Sequence, residues 1–141
     1  MTLEDRLQQL SPHVLSIVRI IVALLFFEHG LSKMIGFPGT QVAPALTLHW
    51  FSGALEFAGG ALLAVGLFTR TTAFVVSGEM AFAYFLSHAP RGIFPQLNGG
   101  EAAILYCFIF FYFVFAGGGP WSLDALFASK AHGGREQAQR A

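Results

Sequence analysis

The sequence predicts an all-α fold: an integral membrane four-helix bundle with short amphipathic interfacial helices at both ends. Three observations carry this. Hydrophobic residues make up 55% of the 141 residues and charged residues only 11%, with a mean hydropathy of +0.60. Four apolar segments approach the length of about 20 residues that a helix needs to cross the hydrocarbon core. Sixteen Gly accompany sixteen Phe, a pairing that suits close-packed helices in lipid.

Taken in order, Leu3, Leu7 and Leu10 recur at helical spacing opposite Asp5, Arg6 and Gln9, which predicts a short helix lying on the membrane surface. The first span, about 12–34, opens with Ser11 as N-cap and Pro12 at the first helical position. The second follows Pro44 and covers about 45–68, the third about 70–88, ending before "APRG". The fourth covers about 100–116, where "GGGP" stops it. "WSLDALFASK" then reads as a second interfacial helix, with Trp121 at headgroup level and Ser122 as N-cap. The polar tail, 128–141, has too little apolar surface to order itself. No repeat of 20–50 residues is visible.

Several classes are excluded. Formal net charge is zero and no long basic run is present, which speaks against nucleic acid as a partner. Cys107 is the sole cysteine, so neither an internal disulfide nor a CxxC redox pair can form. Glu4, Asp5 and Arg6 precede the first apolar run without a small-residue cleavage site, so the first span is expected to be retained. With four spans both termini share one side, which holds Arg6, Arg70, Lys130, Arg135 and Arg140 against Lys33 and Arg91 on the other. The excess of basic residues assigns both termini to the cytoplasm.

The charges inside the spans are the unusual feature, because each costs about 2.5–3.5 kcal/mol at the bilayer centre. Placed by depth, Glu28, His29, Lys33, His49, Glu56, His88 and Glu101 fall in the outer half, with Glu79 near the middle of its span; Arg19 alone lies in the cytoplasmic half. His49, Gly53, Glu56 and Gly60 form a single helical stripe, with glycines that admit a neighbouring backbone. Tyr112 lies eleven residues after Glu101, on the same face. These ten ionisable or hydroxyl-bearing residues, Arg19, Glu28, His29, Lys33, His49, Glu56, Glu79, His88, Glu101 and Tyr112, are the candidate ligand-binding set. Glu56, Glu101 and His29 are the candidate proton-handling groups. The alternative is that the charges only pin the helices in register.

Glu and His could bind metal, but the Glu-x-x-His spacing of di-metal bundles is absent. No metal is expected, and haem between facing histidines has no further support. Cys107 sits among Phe and Ile, where a thiolate is disfavoured, and Ser32 and Ser52 lack a base–orienter set. Apolar aromatic walls with a few polar groups fit a quinone-type ligand.

"RIIVALLFFEHGLSKMIGF", "EFAGGALLAVGLFTR" and "NGGEAAILYCFIFFYFVFAGGGPWSLD" together resemble the DoxX family over roughly residues 14–127. His29, Gly30 and Lys33 supply an HG-x-x-K element, and Glu56 and Gly60 an E-x-x-x-G element; GL-x-TR, NGGE and WSLD follow in order. The resemblance implies a single membrane domain, 1–127, of a bacterial inner-membrane protein. It also implies kinship with the DoxD-like subunit of thiosulfate:quinone oxidoreductase, and with relatives that associate with a thiosulfate sulfurtransferase and a superoxide dismutase.

The expected function is a membrane component of a quinone- or thiol-linked redox or oxidative-stress system, its outer cluster binding a small ligand and handling protons. Electrons would come from a soluble or peripheral redox partner, since no flavin or iron–sulfur motif is evident. Membrane lipid and a second copy of the chain are the other expected partners. The contrasting expectation is a non-catalytic scaffold that recruits soluble redox proteins.

Overall fold

The computed structural model describes residues 1–39 and 41–140, with backbone alone for 132–140. The described residues are all-helical, without a strand. Helix α1 spans Leu3–Ile35, α2 Leu48–Val65 and α3 Thr69–Ala83. A π-helical turn, Tyr84–His88, prolongs α3 and passes into a 3-10 turn, Ala89–Arg91. Then come α4 (Pro95–Asn98), α5 (Glu101–Ala116) and α6 (Leu123–Arg140).

Local chemistry sets most boundaries. Thr2 and Asp5 form a reciprocal capping box at the start of α1, and Gly36 ends it in the left-handed conformation. The Thr47 hydroxyl accepts from the Trp50 N–H at 3.2 Å to open α2, and Gly66 closes it. As expected, Ser122 caps α6, its Oγ accepting from the Ala125 N–H at 3.2 Å.

Two expectations differ. A separate surface helix and a break at Ser11–Pro12 are not found: α1 is one 33-residue helix with Pro12 inside it. The capping box nucleates the helix well upstream of the proline, and the backbone around Pro12 is exposed, where a lost hydrogen bond is replaced by water. Where an unordered tail was expected from 128, the backbone is helical to Arg140; a capped nucleus propagates at low cost per added residue. The side chains of 132–140 and all of Ala141 lie outside the described residues.

Helices α1 and α2 are long and apolar enough to cross a membrane, and α5 is a shorter apolar helix of 16 residues. α1 lies along α2, α3 along α5, and the two pairs meet chiefly through α2 and α3. Gly30 and Gly60 let the first pair close: a Cβ on Gly30 would strike the Phe57 backbone, and one on Gly60 would meet Phe27 backbone atoms at 2.8 Å. The small core holds Ala23, Phe26, Leu63, Val76, Phe110 and Phe113, with Phe26 and Phe110 edge to face at 4.7 Å. The Ser77 hydroxyl donates to the Cys107 carbonyl at 2.9 Å and ties α3 to α5. Around this core the exterior is apolar, with Ile21, Phe74, Phe82, Phe108 and Phe115 all exposed, far beyond the patches a water-soluble monomer shows.

Candidate functional site

Between the two helix pairs lies a cavity of about 850 Å³, where their packing is thinnest. Its apolar wall includes Phe51, Leu55, Val75, Phe82 and Leu86. One end is polar, and its geometry follows from a glycine. A Cβ at Gly53 would sit 2.7 Å from Lys33 Cβ; without it the lysine stem lies flat across α2. Lys33 Nζ therefore reaches Glu56 Oε1 at 2.6 Å and Ser52 Oγ at 2.9 Å. Ser52 and Glu56 share a face of α2 at i, i+4 spacing. The Ser52 hydroxyl donates across to Glu79 Oε1 of α3 at 2.7 Å.

Two carboxyls from different helices are thus joined through one hydroxyl and one ammonium. Glu56 is almost wholly buried, its side chain 3% exposed. Glu56 Oε2 and Glu79 Oε2 are both buried without a hydrogen-bond partner. Buried polar atoms are nearly always paired, and these two belong to residues that line one cavity.

The rest of the polar rim is held by backbone. His29 Nδ1 lies 2.9 Å from the Leu25 carbonyl, and the ring meets Tyr106 edge-on at 5.7 Å. His88 Nδ1 lies 3.1 Å from the Asn98 carbonyl. Buried Asn98 braces the turn by donating to the Gly92 carbonyl at 2.7 Å and accepting from the Gly100 N–H at 2.8 Å. His88 ends the π-helical turn, a distortion that often occurs at functional sites.

Of the ten candidates, His29, Lys33, His49, Glu56, Glu79 and His88 line the cavity. Four do not. Glu28 is exposed, turned away from its neighbour His29 by the step of about 100° between adjacent helical residues. Glu101 is exposed in the first turn of α5, where the helix dipole favours a carboxylate. Tyr112 is 59% exposed on the outside of the same helix. Arg19 lies fourteen residues before Lys33 on α1, hence about 21 Å away along the axis.

Arg19 has a different task. Wholly buried, it donates to the carbonyls of Leu63, Ala64 (2.7 Å), Gly118 (2.8 Å) and Trp121 (2.5 Å). Arg70 does likewise for Val114 and Phe115, both at 2.6 Å. The carbonyls of Leu63, Ala64, Val114 and Phe115 belong to the last turns of α2 and α5, where helix geometry leaves carbonyls short of backbone donors; that of Leu63 also accepts from the Gly66 N–H at 3.1 Å. Asp124 completes the lock by accepting from the N–H groups of Phe68 and Thr69 at 2.8 Å each, capping α3 from another helix. Partial burial pushes the Asp124 carboxyl up, but the Thr69 and Phe68 N–H groups and the Arg19 charge outweigh it and hold the group below its usual range.

Four polar cavity residues were absent from the candidate set: Ser52, Ser87, Arg91 and Tyr106. Ser52 was legible as a hydroxyl one turn from Glu56, and Arg91 as a basic residue at a span end that can reach inward. Tyr106 had no signal beyond a phenol that needs a partner in an apolar helix. Among the described residues no three His, Cys, Asp or Glu side chains converge as metal ligands.

The DoxX family model matches residues 14–89. An uncharacterized protein of Haemophilus influenzae is 43% identical over 133 residues, covering 89% of this chain and 99% of that one. The inner membrane protein YqjF of Escherichia coli strain K12 is 35% identical over 78 residues, which cover 52% of this chain and 60% of YqjF. No solved structure matches.

Proposed function

The chain belongs to the DoxX family, and on that footing we propose that it is a multi-pass inner-membrane protein whose interhelical cavity binds a quinone-type ligand and handles the accompanying protons. Its four spans are α1, α2, α3 with the π-helical turn that extends it to His88, and α5, arranged as a bundle with both termini cytoplasmic. The membrane assignment is supported by the apolar exterior, by the two helices of spanning length and by the name of the Escherichia coli relative. The polar end of the cavity then opens toward the outer side.

One observation carries the site: Glu56 and Glu79, linked through Ser52 and Lys33, each keep a buried oxygen unpartnered at the polar end of an apolar cavity. The volume suits a ring and part of a tail, since ligand pockets run to about 300–1,000 Å³. A quinone takes up two electrons and two protons, or its quinol releases them, and the electrons pass to or from a redox partner protein. Lys33 holds the first Glu56 oxygen, leaving the second to accept or donate a proton. Ser52 relays between the two carboxyls through its single rotatable hydroxyl. His29, His49 and His88 line the route from the outer face. Phe51, Leu55 and Phe82 give the ring an apolar wall.

The test is binding of a short-chain benzoquinone to detergent-purified protein, beside mass spectrometry of the lipophilic molecules it carries. Glu56→Gln, which also takes the counterion from Lys33 and so lowers Tm, and His29→Ala, with a Tm near wild type, should both abolish binding. If these variants instead lower stability and the recruitment of soluble proteins together, the cluster is a structural pin and the scaffold reading replaces this one.

A further inference from the structure

We propose that α1 is the interface of a parallel homodimer, in which a second copy of this chain covers a heptad seam along the outer face of the helix. Leu3, Leu10, Ile17 and Leu24 recur every seven residues, and Leu7, Val14 and Ile21 fall between them at alternating steps of four and three. All are exposed. Written as a heptad, the first set takes the d positions and the second the a positions. Val18, also exposed, flanks the seam at e. The seam stops after Leu24, because Glu28 takes the next a position.

Lipid accepts apolar side chains at any angle, so the decisive part of the seam is where α1 leaves the membrane. Ser16 Oγ accepts from the Trp121 N–H at 3.2 Å, and His13 meets the Trp121 ring edge-on at 5.6 Å. That contact marks the cytoplasmic headgroup level on α1. Leu3 lies thirteen residues before Ser16, about 20 Å along the axis, while the interfacial layer is only about 5–8 Å deep on each side. Leu3 and Leu7 therefore stand in water, and they and Leu10 are each more than half exposed. Every other residue from Glu4 to His13 is polar or proline, with Pro12 at f, off the seam. Because this segment continues the spanning helix, it carries its leucines away from the bilayer.

The structure of the bundle leaves the seam free for a partner. Ser16, Arg19, Ala23, Phe26 and Gly30 form the face of α1 that is buried in its own bundle. At 100° per residue that face lies about 170° round the axis from the seam, so two bundles can join back to back without a clash. The residue choice favours two strands: branched Val14 and Ile21 at a, with Leu at Leu3, Leu10 and Leu24 of d. Copies that insert in the same orientation place their α1 helices parallel, the arrangement to which that preference applies. Covering the seam on both chains buries about 1,400 Å² in all, within the standard range of about 1,200–2,000 Å² for a stable interface. The two-fold axis runs along the membrane normal and the same patch serves both copies.

The experiment is oxidative cross-linking of the whole chain in membranes, with Cys107→Ala removing the native thiol and one new cysteine placed at a time. Leu3→Cys, Leu7→Cys, Leu10→Cys and Val14→Cys should give disulfide-linked dimers at least tenfold faster than Asp5→Cys, Gln8→Cys, Gln9→Cys and Pro12→Cys, which lie at b, c and f. Adding Leu7→Glu and Leu10→Glu to Val14→Cys should cut its cross-linking at least tenfold. Light scattering in nanodiscs should then find half the wild-type protein mass, with the helical circular dichroism kept because both sites point away from the bundle. Equal rates at the two sets of positions, no dimer at any of them, a monomeric wild-type chain, or cross-linking of Val14→Cys that is indifferent to the two glutamates would each overturn the proposal.

Discussion

Arg19→Met separates the two ends of the molecule. Methionine keeps the apolar stem and removes the guanidinium, so the carbonyls of Leu63, Ala64, Gly118 and Trp121 lose its hydrogen bonds together, Leu63 keeping only the Gly66 N–H and Gly118 the Ser16 hydroxyl. Hydrogen bonds to a charged group contribute about 1.5–3 kcal/mol each, and four would sum to about 6–12 kcal/mol. Against this, the folded state no longer buries a charge whose desolvation costs several kcal/mol. The expected net loss is about 3–5 kcal/mol, the range for removing one partner of a buried ionic contact. At about 2–4 °C per kcal/mol for a chain of this size, Tm should fall by about 10 °C. Thermal melts in detergent followed by tryptophan fluorescence will read it, since Trp121 sits in the lock itself. Below the melting range the variant should bind the short-chain benzoquinone like wild type. A Tm within about 2 °C of wild type, or binding lost in the folded variant, refutes the assignment of Arg19 to structure.

Other outcomes follow from single contacts. Gly60→Val places a branched side chain against the Phe27 backbone, and overpacking of this kind should cost about 1–3 kcal/mol, read as a lower Tm. Lys33→Met leaves Glu56 and Glu79 without their cation and should cost about 3–5 kcal/mol; adding Glu56→Gln should restore at least half, as a double-mutant cycle in detergent will measure. The Asp124 carboxyl is held below its usual range when folded. Its stabilisation is therefore complete above the unfolded value of about 3.9 and fades as the pH falls further. Asp124→Asn should be less stable at pH 7 and should lack that acid-side decline, which acid titration of Tm will follow.

Much of this was legible in sequence because the strongest signals are local. Four apolar segments marked α1, α2, α3 and α5, and the His49–Gly53–Glu56–Gly60 stripe located the face on which α1 lies. Pro12 misled, since a proline in an exposed turn can be overridden by a capping box upstream. Depth alone could not separate the candidate acids. Glu56 and Glu79 face inward while Glu101 faces out, and the rotation of α5 depends on which of its many aromatics pack on Phe26. In a helix that is apolar all round, periodicity carries no direction, so Tyr112 and Tyr106 were indistinguishable as cavity residues. Arg19 was misread because an arginine between helices can meet backbone carbonyls as readily as acids, and carbonyls leave no mark in a sequence.

The most direct measurement is short-chain benzoquinone affinity and Tm of Glu79→Gln side by side. The substitution preserves the size of the side chain, and its amide oxygen can still accept from Ser52, so Tm should stay within about 3 °C of wild type, less than about 1 kcal/mol. Binding should weaken by about tenfold or more, as a carboxyl that can hold or release the ligand's proton becomes an amide that cannot. Unchanged affinity in the variant, or a collapse of Tm that carries binding down with it, would contradict a ligand site at Glu56 and Glu79.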